Sequence, residues 1–438
     1  MRSEEFREEP VTGLAVAAES ESMEQGRFAA LVKEGKVVLL ASRKRSIRPV
    51  AVGEGTRVKV NANLGTSPDC SDVEIELDKL RTAIEAGADT VMDLSVGADA
   101  DEVRRAVIAE SSVPVGTVPV YQAALDARIR GKSFAEASRD EILGAVRKHL
   151  EDGVDFITVH CGLTKENAAS LSRTGRICGV VSRGGSMMAE WMSRNRSENP
   201  LYECFDEVLA MAKEFGATLS LGDGLRPGAL ADATDEPQVR ELVTLGELVA
   251  RARTAGVQVM VEGPGHVPLD QIEANVRLEK AVCKGAPFYV LGPLTTDVAC
   301  GHDHIAAAIG GAVAAWHGAD FLCYVTPTEH LGLPDIEDVR EGVIAARIAA
   351  HVADIARRHR GATDWDLRVS TCRAALDWDG MIRQSLDPER ARMIFDAARS
   401  QTDGACTMCG EFCAMKRMKG ESPPGQKGAV RSKGDAKW

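Results

Sequence analysis

The chain has 438 residues, 53 basic against 65 acidic, and a net charge of −12. That balance excludes a general nucleic-acid binder, and no apolar run is long enough to span a bilayer. Hydrophobic residues at 44% supply a substantial core for one large barrel with appendages. The opening MRSEEFREEP is too acidic and polar for a signal peptide, so the cytoplasm is the expected location.

Residues 1–50 are charged and helix-prone, with RFAALVKEGKVVLLAS as an amphipathic stretch. From about residue 56 short β-branched runs take over: RVKVNAN, DTVMDLS, PVGTVPVY, DFITVHCG, GVVSRGG, ATLSLGDG, VQVMVEGPG, PFYVLGP and DFLCYVTP. Helical patterns such as EIELDKLRTAIEAGA separate most of them, which predicts βα units and a parallel sheet. A closed barrel needs eight strands, so one of the nine candidates is extra; PVGTVPVY and GVVSRGG are the least regular. Polar residues gather where the runs end, as active-site residues do at the C-terminal ends of barrel strands. A doubly wound sheet would place ligands there too, but no G-x-G-x-x-G follows the first strand. The expected architecture is therefore a (β/α)8 TIM-type barrel over 51–335, after an N-terminal helical extension over 1–50.

Beyond residue 336 the strands stop. Two helical patterns, DIEDVREGVIAARIAAHVADIARR and DPERARMIFDAARS, lead into the cysteines of a C-terminal helical region ending at 415. Residues 416–438 are rich in Gly, Pro and Lys and read as a disordered basic tail.

Three features carry chemistry. CTMCGEFC places Cys406, Cys409 and Cys413 within reach of one inorganic centre. Three thiols cannot close a four-coordinate zinc site or fully ligate an iron–sulfur cluster, so one metal position is left for a substrate or cofactor. Read backwards, the spacing is the C-x3-C-x2-C of most radical S-adenosylmethionine (SAM) enzymes; a zinc site completed by a distant His is the alternative. The other eight of the eleven cysteines are scattered singly, many in apolar runs such as FLCYV at Cys323, and read as reduced, buried thiols. His266 in EGPGHVP and His330 in TPTEHLG each follow a strand candidate and are a potential pair of ligands for a divalent metal, with His302 and His304 of CGHDHI as rivals. SRGGS at 182–186 and DGLRPG at 223–228 each set an Arg among glycines, which suits a phosphate or carboxylate.

VNANLGTSP, DTVMDLS, SRGGS, LGDGLRPG, VEGPGHVP, LGPLTTD, YVTPTEHLGLP and CTMCGEFC together resemble the thiamine pyrimidine synthase family, over roughly residues 50–415. The resemblance implies radical SAM lyase chemistry on 5-aminoimidazole ribotide, giving 4-amino-5-hydroxymethyl-2-methylpyrimidine phosphate. It implies a 4Fe-4S cluster on the catalytic Cys406, Cys409 and Cys413 with SAM at the open iron. It implies zinc or another divalent metal on His266 and His330, a low-potential donor of flavodoxin or ferredoxin type, and a homodimer. Substrate contacts carried over by motif fall on Asn63, Met92, Tyr121, His160, Ser182, Arg183, Gly184, Asp223, Gly224, Leu225, Arg226, Glu262 and Tyr289.

The chain departs from the family pattern in three places. Three residues, where many members have four, separate the last two cysteines; Cys300-Gly301-His302-Asp303-His304 stands for Pro-Gly-Tyr-Asp-His; and ASRKRS replaces an Asn-rich run before the first strand. The last two changes are expected near the site. They keep open the paralogous 5-hydroxybenzimidazole synthase, which acts on the same substrate in cobalamin biosynthesis. A TIM-barrel metal hydrolase or lyase with structural cysteines is the remaining alternative.

Overall fold

A computed structural model describes residues 11–398 and 406–419. The chain divides into two compact units, 1–360 and 361–438.

The first unit is built on ten strands: β1 (Val37–Leu40), β2 (Val50–Gly53), β3 (Lys59–Leu64), β4 (Thr90–Asp93), β5 (Val115–Thr117), β6 (Phe156–Val159), β7 (Thr218–Leu221), β8 (Val259–Gly263), β9 (Phe288–Leu291) and β10 (Phe321–Cys323). β3 to β10 form a closed barrel, β10 returning to pair with β3 at Phe321↔Lys59, and every pairing in it is parallel. The strands are buried almost throughout because helices cover the outside of the sheet, as an all-parallel sheet requires.

The helices start and stop where side chains satisfy their free backbone groups. Asp72 accepts from the amides of Glu74 and Ile75 to open Val73–Ala86, and Ser138 and Glu141 form a reciprocal capping box on Arg139–Asp152. The long helix Ile336–Ala356 begins on a similar pair, Asp335 and Asp338.

Of the nine strand candidates, PVGTVPVY contains β5, whereas GVVSRGG contains no strand. Ser182 there accepts a hydrogen bond from the Gly185 amide and caps the helix Arg183–Asn195. The Ser–Gly signal for a helix start outweighs the two valines before it.

The N-terminal stretch is not wholly helical. After helices Val11–Ser20 and Gln25–Lys33, VVLL forms β1 and pairs antiparallel with β2. Ala17, Phe28, Leu31, Val37 and Ala51 make a small core of their own. Gln258, just before β8, exchanges hydrogen bonds with the Leu39 backbone. Asp155, just before β6, accepts from the Ser42 amide and the Arg45 guanidinium. ASRKRS therefore lies at the N-terminal ends of the strands, not near the ends where the site residues gather. Its departure from the family pattern gives no reason to expect a different product.

In the second unit, helices Ala362–Ala375, Trp378–Arg383 and Pro388–Ala397 are held by the Trp365 indole N–H on the Gln384 carbonyl (2.7 Å) and by the Trp378–Phe395 stack. A short helix, Ala414–Lys419, runs into the stretch read from sequence as a disordered tail. The remainder of that stretch, 420–438, lies outside the described residues. No helix among the described residues is long and apolar enough to cross a membrane.

Candidate active site

The C-terminal ends of the barrel strands surround a cavity of about 80 Å³ that opens to solvent. Asn63 on β3, Met92 on β4, Glu262 on β8 and Tyr289 on β9 line it from the strands themselves. Tyr121 enters from the helix after β5, His160 from the residue after β6, and Asp223 and Arg226 from the turn after β7. Eight of the thirteen substrate candidates thus share one cavity.

The other five do not line it and lie beside or behind the residues that do. Arg183 lies over the Tyr121 ring, 5.0 Å from its centroid, a cation–π contact that brings a guanidinium beside the pocket. Ser182 caps the helix that Arg183 begins. Gly184 faces the His160 imidazole so closely that a Cβ there would lie 2.3 Å from Cε1. Leu225 is fully buried, and its amide donates to Glu241 Oε2 at 2.6 Å. Gly224 admits Gly185, whose added Cβ would meet the Gly224 carbonyl oxygen at 2.3 Å.

The charges in the pocket are set by burial. Burial pushes the Asp223 carboxyl up to about 7, against the attraction of Arg226, whose Nη1 donates to Asp223 Oδ1 at 3.0 Å. Asp223 Oδ2 has no hydrogen-bond partner among the described residues. Burial also lowers His160 to about 3, helped by the Arg226 charge, so its ring is neutral at physiological pH. Its Nδ1 is likewise without a partner among the described residues. Burial raises Glu262, although Thr158 and Ser220 both donate to its Oε1, at 2.7 and 2.8 Å. The pocket therefore offers a guanidinium, a neutral imidazole and two carboxyls whose proton affinity is raised.

Three participants were not singled out from the sequence. Thr158 lines the pocket and orients Glu262; its place two residues before His160, on the same face of β6, is the signal that could have found it. Cys323, read only as a buried thiol, lines the floor, and the Asn63 amide donates to its sulfur at 3.1 Å; the same reading fails at Cys70, Cys178 and Cys300, which are exposed. Glu241 lies in a helix with nothing in its local sequence to mark it.

His266 and His330 come together at the same end of the barrel, ring centroids 5.2 Å apart. His266 Nδ1 is 2.8 Å from Asp297 Oδ1, and His330 Nδ1 is 3.3 Å from Asp303 Oδ2. The rivals His302 and His304 lie 6.3 Å apart, and His304 belongs to a separate small cavity. Among the described residues no three His, Cys, Asp or Glu side chains form a metal-holding group.

In the second unit, the Gly410 amide donates to the Cys406 carbonyl and the Phe412 amide to the Cys409 carbonyl. This folds the cysteine segment into successive turns, with Cys409 exposed, Cys406 half-buried and Cys413 buried. The thiols suit an iron–sulfur centre as donors, and their ligating arrangement is not preassembled.

Comparison with known proteins gives one answer. The sequence model described as the Radical SAM ThiC family matches residues 5–420. A phosphomethylpyrimidine synthase of Geobacter metallireducens is 59% identical over 85% of this chain and 85% of its own length. The synthase of Desulforamulus reducens is 54% identical over 93% of this chain and 95% of its own. That of Methanopyrus kandleri is 55% identical over 92% and 94%.

Proposed function

This chain belongs to the Radical SAM ThiC family, and from that premise we propose that it is a phosphomethylpyrimidine synthase, a radical SAM lyase of thiamine biosynthesis. The substrate is 5-aminoimidazole ribotide and the product is the hydroxymethylpyrimidine phosphate. The observation that carries the reading is the convergence of His160, Asp223, Arg226 and Glu262 in one pocket beside Arg183.

Arg226 and Arg183 bind the substrate phosphate through charge-assisted hydrogen bonds, backed by the glycine-rich turns that carry them. Neutral His160, which lines the pocket, exchanges a hydrogen bond with the substrate through its imidazole. Glu262, fixed through Oε1 by Thr158 and Ser220, holds or accepts a proton at its carboxylate. Tyr289, stacked on Phe321, and Met92 close the floor and exclude water.

Cys406, Cys409 and Cys413 would hold a 4Fe-4S cluster, which when bound would supply the electron for reductive cleavage of SAM. A flavodoxin- or ferredoxin-type protein is the reductant. His266 and His330 would hold zinc or another divalent cation: Asp297 Oδ1 stands 2.8 Å from His266 Nδ1, as a carboxylate does behind a metal-bound imidazole, and Asp303 lies 3.3 Å from His330 Nδ1. Such a cation would supply Lewis acidity. The chain works as a homodimer; exposed Ile305, Ile309 and Trp316 share one face of helix Asp303–His317, which supports this reading. No site residue favours 5-hydroxybenzimidazole as product.

The test is anaerobic turnover of 5-aminoimidazole ribotide with SAM and a strong reductant by iron–sulfur-reconstituted protein, with products identified by mass spectrometry. The pyrimidine phosphate is expected. Release of 5-hydroxybenzimidazole, or no SAM-dependent product, overturns the assignment.

A further inference from the structure

The two arginine–glycine turns of the pocket are fastened to each other from behind by residues that do not line it. Arg176 follows the helix Lys165–Thr174 and leads into the segment that ends at Ser182 and Arg183. Its side chain is only 2% exposed. Nη2 donates to the Leu225 carbonyl at 2.6 Å, and Nη1 donates to the Arg226 carbonyl at 3.4 Å and the Gly179 carbonyl at 3.1 Å. One guanidinium therefore holds the backbone of the Arg226 turn and of the segment that leads to Arg183.

That guanidinium is itself fixed. Its Nε and Nη2 donate to the two oxygens of Asp235, at 2.6 and 2.7 Å. Asp235 also caps the helix Glu236–Ala255 by accepting from the Gln238 amide. The same helix presents Glu241, whose Oε2 accepts from the Leu225 amide. The Leu225 peptide is thus held on both polar sides, its N–H by Glu241 and its C=O by Arg176. Asp232 accepts from the Ile177 and Cys178 amides at 2.8 and 2.9 Å and fixes the start of the segment that leads to Arg183. The turns are already close enough that a Cβ on Gly228 would lie 2.2 Å from Val181 Cγ1.

We propose that Arg176, locked by Asp235, is a positioning residue that sets the separation of Arg183 and Arg226, so that the two guanidinium groups act on one phosphate as a unit. This rests on the reading of those arginines as the substrate's phosphate ligands. A planar fork fits the role and an ammonium does not: Arg presents several donors in fixed directions, whereas Lys presents a point charge. Neither Arg176 nor Asp235 touches the substrate, so their effect passes through Arg226.

The experiment is a double-mutant cycle on the full chain, reading the dissociation constant of 5-aminoimidazole ribotide by calorimetry alongside the melting temperature. Arg176→Lys is expected to weaken binding roughly tenfold in the parent background and by less than about threefold when Arg226 is already Ala, because a residue acting through another loses its effect with it. Asp235→Asn, which keeps a helix-capping acceptor, repeats the cycle where the lysine variant folds poorly, with a smaller loss of the same pattern. A purely structural role lowers the melting temperature with equal effects on binding in both backgrounds, and that result overturns the proposal. Unchanged affinity in Arg226→Ala alone removes the phosphate-ligand reading and this inference with it. A weakened Arg226→Ala beside unchanged Arg176→Lys and Asp235→Asn removes only the positioning role.

Discussion

The imidazoles of His266 and His330 stand 5.2 Å apart at an angle of 59°, although 63 residues separate them in sequence, and each turns its Nδ1 toward a carboxylate. In the proposed metal site the Nε2 atoms would be the ligating pair. Protein lacking all three cluster cysteines should bind one divalent metal per chain, and either His266→Ala or His330→Ala should remove it. Asp297→Asn should weaken the metal by roughly tenfold or more without abolishing it, since orienting carboxylates typically contribute that much. Metal content indifferent to both histidines excludes them as ligands.

Arg226 and Arg183 are the cations expected to meet the substrate phosphate. Replacing either by Ala should raise the dissociation constant of 5-aminoimidazole ribotide ten- to a hundredfold, which corresponds to about 1.5–3 kcal/mol for a charge-assisted hydrogen bond. SAM affinity should change much less. Equal losses for both ligands would point to a general disturbance of the barrel rather than lost phosphate contacts.

Gly184 tests how tightly His160 is held. It lies in a helix, where Ala would ordinarily be favoured by about 1 kcal/mol. Here the new methyl carbon would fall 2.3 Å from Cε1 and 2.4 Å from Nδ1 of the His160 ring. Gly184→Ala should therefore lower stability by about 1–3 kcal/mol, as overpacking of a filled site does, and weaken substrate binding. A raised melting temperature with normal binding means the ring is free to move aside.

The barrel was legible because eight β-branched runs alternate with amphipathic helices, and the pocket residues because they stand at the ends of those runs. GVVSRGG misled because two valines before a polar turn read like a strand, while the structure uses Ser182 to cap a helix. VVLL was absorbed into a helical stretch because four apolar residues have no distinguishing period. ASRKRS was expected near the site from its place before the first barrel strand, yet Ser42 and Arg45 bind Asp155 at the opposite ends of the strands. Arg176, Asp235 and Glu241 were invisible for a different reason: Arg176 and Glu241 hold the Leu225 backbone from 49 and 16 residues away, Asp235 holds the Arg176 guanidinium from 59 residues away, and no local pattern encodes such pairings.

Cys409 is the most exposed of the three cluster cysteines, the others being half-buried and buried. It has no packing role that its loss would disturb, so Cys409→Ala should leave the fold intact while abolishing cluster assembly and SAM cleavage. Thiolate ligation is what the cluster requires. Iron content and melting temperature measured together separate the outcomes, and a Cys409→Ala protein that cleaves SAM normally removes the assignment.

The pH dependence of stability should reveal Asp223 and His160 as opposing terms. Asp223 moves from an ordinary value of 3.8 up to about 7 on folding, so between those values the folded protein holds a proton that the unfolded chain has lost. Its contribution is fully present below 3.8 and declines as pH rises through 7. His160 moves from 6.5 down to about 3, so in that window the unfolded chain holds the extra proton. Its contribution is present above 6.5 and is lost as pH falls toward 3. Between about pH 4 and 6.5 the two slopes cancel, each amounting to about 1.4 kcal/mol per pH unit at full effect. Asp223→Asn should therefore make stability rise more steeply with pH than in the parent over that range, and His160→Gln should make it rise less steeply. Denaturant unfolding at pH 4.5, 5.5 and 6.5 reads both slopes. If neither substitution changes the parent's slope, the two groups titrate alike in the folded and unfolded chain, and the pocket is wetter than its burial implies.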